Sequence, residues 1–327
     1  MKILAVDDDP IILELLAHFI DTLTDHKVVL ASCADEAIDV IQANARSPFD
    51  CFLLDIQMPG TDGITLAGKI RAMEPYTDTP ILMLTAMSEK VYIDAAFTAG
   101  ATDYVTKPFE MSELKARLSL VERAFDRRKA STGKIFATQA VSPEYNKVTP
   151  PINLHEPVAI YDVDNLIDFM ALENYIQQLS RNDLFGSTAF AFTIRKIEEF
   201  HRTMSPFEFY SVLVDMGEII SDTLGGSQFL MAYAGNGTFI CITESGWCPD
   251  TRALANSINL TAAKTELFDN QGQRIEPRVC AGEAIKLIWK TSASVMDAIS
   301  AAHASAESAS AAYQKNQNNV WQIGLTA

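Results

Sequence analysis

The first 127 residues alternate short apolar runs with longer segments whose apolar residues recur at helical spacing. The short runs predict buried strands, and the longer segments predict helices. The predicted strands are 2–6, 27–31, 49–55, 79–86 and 102–108, and a helix is predicted after each of them. Asp9 and Pro10 suit the N-cap and the first turn of the first helix. This regular alternation predicts an α/β fold with a parallel sheet covered on both faces.

A different pattern begins beyond residue 127. Residues 128–155 are largely polar and include two adjacent prolines, which is typical of a linker. Residues 156–327 mix helical and strand patterns and contain a strand–turn–strand pattern over 229–243. The other predicted elements are helices at 165–181, 206–223, 250–268 and 294–315, and strands at 190–197, 278–285 and 319–323. The chain is therefore predicted to consist of a domain over 1–127, a linker over 128–155 and an α/β or α+β sandwich over 156–327.

The amino-acid composition indicates the number of domains, the cellular compartment and the classes of partner to be expected for this chain. A length of 327 residues suits two domains of ordinary size. The formal net charge of −16 argues against nonspecific binding to nucleic acid or to an anionic membrane. The five cysteines are scattered without paired spacing, which favours a reducing compartment over disulfides or a zinc site. Since no apolar stretch approaches the roughly 18 residues of a membrane span, we expect a soluble cytoplasmic protein.

Polar side chains recur at the carboxyl ends of the predicted strands. Asp7 and Asp8 follow the first strand, Asp55 ends the third, Thr85 lies in the fourth and Lys107 in the fifth. Parallel strands bring these ends to one edge of the sheet, where ligands bind in such folds. Carboxylates held close together raise one another's pKa, and a hard cation such as Mg²⁺ relieves that repulsion. A carboxylate beside Mg²⁺ and an ammonium group can attack phosphorus and become an acyl phosphate.

Each of these residues also has an ordinary structural interpretation, as a helix cap, a surface charge or a strand residue. The chemical hypothesis depends on their joint occurrence at successive strand ends. These residues lie within four sequence motifs: VDDDP (6–10), LLDIQMPGTDG (53–63), LTA (84–86) and DYVTKPF (103–109). They resemble the receiver domains of two-component response regulators over about the first 125 residues. The resemblance implies a flavodoxin-like fold and phosphorylation of Asp55 by a histidine kinase or phosphotransfer protein.

The resemblance also assigns roles to the other residues of the pocket. It implies that Mg²⁺ is held by Asp7, Asp8, Asp55 and the backbone carbonyl of Gln57. Lys107 would pair with the phosphoryl group, and its bond to Pro108 is commonly cis in this family. Thr85 and Tyr104 match the switch pair, and the Thr85 hydroxyl can reach a phosphoryl oxygen. Asp9 is interpreted as a helix cap rather than a metal ligand.

The second domain resembles GGDEF domains, the diguanylate cyclases that make cyclic di-guanylate from GTP. GNGTF (235–239) falls where that family carries GGDEF, and KIEEF (196–200) falls where it carries DxDxF. The positions that correspond to the cyclase site are Lys196, Glu198, Gly235, Asn236, Gly237, Thr238 and Phe239.

The acids that hold metal in that family are absent at these positions. Lys196 takes the place of the first acid, and Gly237 and Thr238 take the place of the hairpin pair. A lysine opposes cation binding by Coulomb repulsion. The second domain is thus predicted to be a degenerate, catalytically inactive cyclase.

These patterns favour a response regulator whose phosphorylation at Asp55 changes the interactions of an inactive cyclase-like output. The output would act on a downstream protein, and a homodimer is possible from both family resemblances. DNA binding is not expected, because no basic helix-turn-helix pattern follows the linker. Two alternatives stay open for the second domain: an active cyclase with rearranged ligands, or a nucleotide-binding domain without turnover.

Overall fold

The structure is a computed structural model that describes residues 1–86, 90–119, 121–122, 152–161, 163–178, 186–243, 246–265, 267–268, 273–287 and 292–324. The chain divides into two compact units, Met1–Lys147 and Val148–Ala327. Residues 128–151 of the predicted linker lie outside the described part of the chain. Of the helices in the described part, none is long and apolar enough to cross a membrane.

The first unit contains a parallel five-stranded sheet, as the sequence predicts. Its strands are β1 (Lys2–Val6), β2 (Lys27–Ala31), β3 (Cys51–Asp55), β4 (Ile81–Thr85) and β5 (Asp103–Thr106). The strand order is β2-β1-β3-β4-β5, and every neighbouring pair is parallel. The helices are α1 (Pro10–Leu23), α2 (Ala34–Ala43), α3 (Gly63–Arg71), α4 (Lys90–Thr98) and α5 (111–119). This is a flavodoxin-like topology, in which the strand order reverses between β1 and β3.

The central strands have continuous apolar sequences because they are buried. Every residue of β3 and of β4 is buried, because both strands have neighbours on each side and helices on each face. The edge strand β2 has only its last residue fully buried. The prediction for the start of α1 is confirmed, since the Asp9 side chain accepts a hydrogen bond from the Ile11 amide at 2.8 Å.

The second unit has a separate antiparallel sheet. Its described strands are β6 (Thr188–Ile194), β7 (Phe229–Tyr233), β8 (Thr238–Thr243), β9 (Val279–Ala281) and β10 (Ile285–Lys286). The order is β10-β6-β8-β7, and β9 also pairs with β6. The helices are α6 (Phe169–Gln178), α7 (Ile197–Thr203), α8 (Pro206–Leu224), α9 (Thr251–Thr265) and α10 (Ser292–Gly324). The predicted hairpin over 229–243 is confirmed as β7 and β8.

Three sequence predictions in this unit are wrong. The strand predicted over 319–323 belongs to α10, because no glycine or proline interrupts the helix between Ser292 and Ile323. The strand predicted over 190–197 ends at Ile194, and the unforeseen helix α7 begins after Lys196. The strand predicted over 278–285 divides into β9 and β10 around Gly282.

The helix predicted over 294–315, a segment rich in alanine and serine, is confirmed as part of α10. Close packing explains why its side chains are small. A Cβ placed on Gly282 would lie 2.8 Å from the Ala306 nitrogen and 2.9 Å from the Ala302 oxygen. Ala302 and Ala306 are themselves fully buried. The backbone of α10 therefore approaches the β9–β10 connection so closely that larger residues would not fit.

Candidate functional site

The carboxyl edge of the parallel sheet gathers the predicted acidic residues. Asp7 directly follows β1, and Asp55 is the last residue of the neighbouring strand β3. Lys107 follows β5 and is held by a hydrogen bond from its amide to the Thr85 carbonyl at 2.6 Å. The strand order thus brings together side chains that are as far apart as 100 residues in sequence.

Lys107 connects the two buried carboxylates of this pocket. Its Nζ donates to Asp7 Oδ2 at 2.6 Å and to Asp55 Oδ1 at 2.7 Å. The Asp7 side chain is 0% exposed and the Asp55 side chain 5%, so solvent screens these contacts weakly. A second hydrogen bond to Asp7 comes from the Asp9 amide at 3.0 Å. The lysine therefore places a positive charge between two desolvated carboxylates.

The pKa shifts in the pocket follow from this geometry. Burial raises the pKa of Asp55, the ammonium of Lys107 opposes that rise, and the charges of Asp7 and Asp8 add to it. Burial alone would lower the pKa of Lys107, but its hydrogen bonds to the two carboxylates outweigh burial and raise it. Lys107 is therefore held firmly in its charged form.

Three carboxylates form a group that fits a divalent cation. One carboxylate oxygen from each of Asp7, Asp8 and Asp55 lies within 4.8 Å of the other two. Three carboxylates against one ammonium leave two uncompensated negative charges, and an all-oxygen donor set is what Mg²⁺ prefers. Gln57 lies on the exposed loop after β3, where it lines an open groove together with Asp8.

Gly63 is a residue of this site that the sequence prediction did not single out. Its amide donates to the Ile56 carbonyl at 3.0 Å, which turns the β3–α3 loop back onto the end of β3. A Cβ at position 63 would lie 1.9 Å from the Asp55 carbonyl oxygen. The Asp62 side chain then caps α3 by accepting from the Thr65 amide at 2.7 Å. The Asp-Gly pair in the motif was the available signal, because glycine permits close backbone approach.

Thr85 and Tyr104 lie on adjacent strands. The register pairs Met83 with Tyr104, so Thr85, two residues further along β4, projects from the same face as Tyr104. Thr85 is fully buried, and Tyr104 is 7% exposed. The Tyr104 ring makes an edge-to-face contact with Phe97 of α4, at 6.1 Å between centroids. The Lys107–Pro108 peptide bond is cis.

In the second unit the predicted degenerate positions form a neutral, tightly packed turn. Gly237 has φ +71°, and a Cβ there would lie 2.7 Å from Ile197 Cγ1. Thr238 is fully buried, and its hydroxyl shares a hydrogen bond of 2.8 Å with the hydroxyl of Thr193. Ile197, itself 2% exposed, thus occupies the space into which a side chain at position 237 would project.

The remaining degenerate positions lie around the same turn. Lys196 has a left-handed backbone (φ 56°), and its exposed ammonium lies 3.9 Å from the exposed Glu199 carboxylate, a pair of little energetic weight. Glu198 is exposed in the first turn of α7. Gly235 and Asn236 also have positive φ, and Phe239 is fully buried. Within the described part of this unit, no group of three metal-ligating side chains is found.

Known proteins match part of this chain. A family model described as "Response regulator receiver domain" matches residues 3–119. The transcriptional regulatory protein KdpE of Staphylococcus aureus is 35% identical over 155 residues, which are 47% of this chain and 64% of that protein. ResD of Bacillus subtilis is 40% identical over 125 residues, 38% of this chain and 49% of that protein.

Among solved structures, a putative response regulator from Chloroflexus aurantiacus shares 35% identity, covering 37% of this chain and 95% of that one, with a TM-score of 0.34. This chain spans about half to two thirds of the length of the curated relatives named above. Residues 3–119 therefore form a response regulator receiver domain. The family match ends at residue 119 and so bears on the first unit.

Proposed function

We propose that this protein is a cytoplasmic response regulator in which Asp55 accepts a phosphoryl group from a histidine kinase or a phosphotransfer protein. The observation that carries the proposal is the buried contact of Lys107 with both Asp7 and Asp55. That arrangement supplies a carboxylate nucleophile, a fixed positive charge and a neighbouring acidic group, the parts that phosphoryl transfer to a carboxylate requires.

In the proposed transfer, an Asp55 carboxylate oxygen attacks the phosphorus atom and the bond from phosphorus to the donor's leaving atom breaks. The Lys107 ammonium, already 2.7 Å from Asp55, stabilises the negative charge on the transferring group. The Thr85 hydroxyl donates to a phosphoryl oxygen. Mg²⁺, held by Asp7, Asp8, Asp55 and the Gln57 carbonyl, would supply further charge neutralisation.

The phosphoryl group would change the surface made by α4, β5 and α5. It adds negative charge and strong acceptor oxygens next to β4. When Thr85 moves toward those oxygens, the packing of Tyr104 against Phe97 changes with it. The buried and the displaced positions of Tyr104 are the two states that phosphorylation biases. A homodimer formed through this surface is part of the proposal.

Removing the Lys107 ammonium should have opposite effects on Mg²⁺ binding and on phosphoryl transfer. Lys107→Met takes away the charge that competes with Mg²⁺ for the same carboxylates, so Mg²⁺ binding at neutral pH should tighten by about fivefold. Phosphoryl incorporation should fall in the same variant. Mg²⁺ titrations followed by NMR of receiver amides measure the first effect. Lys115→Met is the matched control, because it removes an exposed lysine from α5, and it should leave both quantities unchanged.

For the second unit we propose a catalytically inactive, GGDEF-like output that acts by binding a downstream protein. Its support is the chemistry of the β7–β8 turn, where the positions of the metal-holding acids are occupied by Gly237 and Thr238. Ile197 fills the space beside Gly237, and the Thr238 hydroxyl is hydrogen-bonded to the neutral hydroxyl of Thr193. The relatives named above are described as transcriptional regulators, whereas the net charge of −16 here opposes binding to DNA phosphates.

Incubation of the purified protein with GTP and Mg²⁺ tests this proposal. We expect neither cyclic di-guanylate nor pyrophosphate to accumulate, in the unphosphorylated or the phosphorylated protein. Formation of either product would show that the unit is an active cyclase with rearranged ligands. A rise in unfolding temperature with GTP or cyclic di-guanylate, without turnover, would instead identify a nucleotide-binding output.

A further inference from the structure

The chain that enters the second unit lies across the β7–β8 turn. We call residues 152–156 the strap. The Leu154 carbonyl accepts a hydrogen bond from the Asn236 amide at 2.7 Å. The His155 ring nitrogen Nδ1 bonds to the Asn236 side-chain oxygen at 2.6 Å. From α7, His201 Nε2 donates to the Ile152 carbonyl at 2.7 Å. The strap therefore bonds to both the β7–β8 turn and helix α7.

The turn is shaped to receive the strap. Gly235 has φ +90°, and a Cβ at this position would lie 2.9 Å from the carbonyl carbon and oxygen of His155. Ile152 and Leu154 are half-buried against the apolar core of the unit. The Asn236 side-chain amide also donates to Glu307 of α10 at 2.9 Å, which extends the contact to the last helix. Asn236 is thus the residue through which strap, turn and α10 are joined.

Two features make this contact suited to open. Asn153, His155 and Glu156 are exposed, so the apolar surface that opens when the strap separates from the turn comes from the half-buried Ile152 and Leu154. The strap also precedes the described helices and strands of the second unit in the sequence. Any displacement transmitted along the chain from the receiver reaches the strap before it reaches the sheet.

We propose that the strap is an autoinhibitory contact that lies on the β7–β8 turn in the unphosphorylated protein and separates from it when Asp55 is phosphorylated. This inference rests on the proposed function of Asp55. Under this proposal the strap is the element of the second unit that responds to the receiver. The β7–β8 turn is the surface that becomes uncovered.

The Asn236 amide reports directly on the strap, because its acceptor is the Leu154 carbonyl. The amides of Ile194 and Thr238 serve as internal references, since they bond to the carbonyls of Gly237 and Gly235 within the hairpin region itself. In full-length protein with Mg²⁺, beryllofluoride, an analogue of the aspartyl phosphate, should speed exchange of the Asn236 amide by about tenfold. Exchange at the two reference amides should not change.

One control variant and two possible outcomes separate the strap proposal from the function of Asp55. Asp55→Asn should abolish the effect of beryllofluoride on the Asn236 amide. If receiver amides report that beryllofluoride is bound at Asp55 and Asn236 exchange stays unchanged, the strap proposal is wrong while the function of Asp55 stands. If beryllofluoride does not bind, the function of Asp55 is in question, and the substitutions described next still test the strap.

Asn236→Gly keeps the left-handed backbone but removes the side-chain bonds to His155 and Glu307. His201→Phe keeps the edge-to-face contact with Phe209 but removes the donor to Ile152. Each change should speed exchange of the amide at position 236 without beryllofluoride. The matched control is Asn165→Gly, which makes the same change at another left-handed asparagine (φ 61°) and should leave that exchange unaltered. Unaltered protection at position 236 in both test variants would overturn the proposal.

Discussion

Asp55→Asn should reduce phosphoryl incorporation from acetyl phosphate by at least about a hundredfold, because it removes the proposed nucleophile. Asparagine has nearly the same shape as aspartate, so the loop that follows β3 should keep its fold. A side-chain amide cannot form the acyl phosphate, and no other described carboxylate contacts Lys107 except Asp7. Intact-mass spectrometry after timed incubation measures the incorporated phosphoryl group.

The matched control is Asp9→Asn, which makes the same chemical change in the same group of acidic residues. Asp9 caps α1 through its side chain, and asparagine is an equally good cap. Incorporation should therefore stay within about twofold of wild type in this variant. Equal losses in the two variants would indicate a general electrostatic effect rather than loss of a nucleophile, and retained labelling in Asp55→Asn would reject the assignment.

The second large effect, on receiver stability and on phosphoryl incorporation, is expected for Gly63→Ala. The new Cβ would have to lie 1.9 Å from the Asp55 carbonyl oxygen, a backbone atom that cannot move without shifting the end of β3. Overpacking of this kind costs about 3 kcal/mol of unfolding free energy, and it would also displace the Asp55 side chain. We therefore expect both a less stable receiver and slower phosphoryl incorporation.

Gly68→Ala is the control within the same helix. A Cβ at Gly68 meets nothing within 4 Å, and alanine is favoured over glycine inside a helix by about 0.5–1 kcal/mol. This substitution should leave the receiver unchanged or slightly more stable. Urea unfolding followed by circular dichroism measures both variants. The three tryptophans (Trp247, Trp289 and Trp321) all lie in the second unit, so their fluorescence does not follow receiver unfolding. Equal stabilities for the two variants would contradict the geometry of the loop.

Most strands and helices of the first unit could be predicted from sequence, because each follows from the pattern of residues within its own short segment. β3 and β4 are apolar along their whole length because they are buried on both faces. The occurrence of charged residues at the carboxyl ends of the first, third and fifth strands was enough to place Asp7, Asp55 and Lys107 together. Gly63 was missed because its role depends on how closely two backbone segments approach, which no hydrophobic pattern records.

The second unit was harder to predict because its decisive features are not periodic. The left-handed conformation of Lys196, which ends the strand segment and starts α7, is rare for a lysine and carries no sequence signal. The apolar residues of 319–323 resemble a strand, yet the helix propensity of the preceding residues continues through them. The contact between His155 and Asn236 joins residues 81 positions apart, so only the folded structure reveals it.

The most direct measurement of the central claim is to locate the phosphoryl group in the wild-type protein. Incubation with acetyl phosphate, with Mg²⁺ or with a chelator, would be followed by borohydride reduction, which converts an aspartyl phosphate to homoserine. Peptide mapping should find one modified residue, Asp55, and only in the sample with Mg²⁺. Modification at another residue, or no Mg²⁺-dependent modification, would contradict the account.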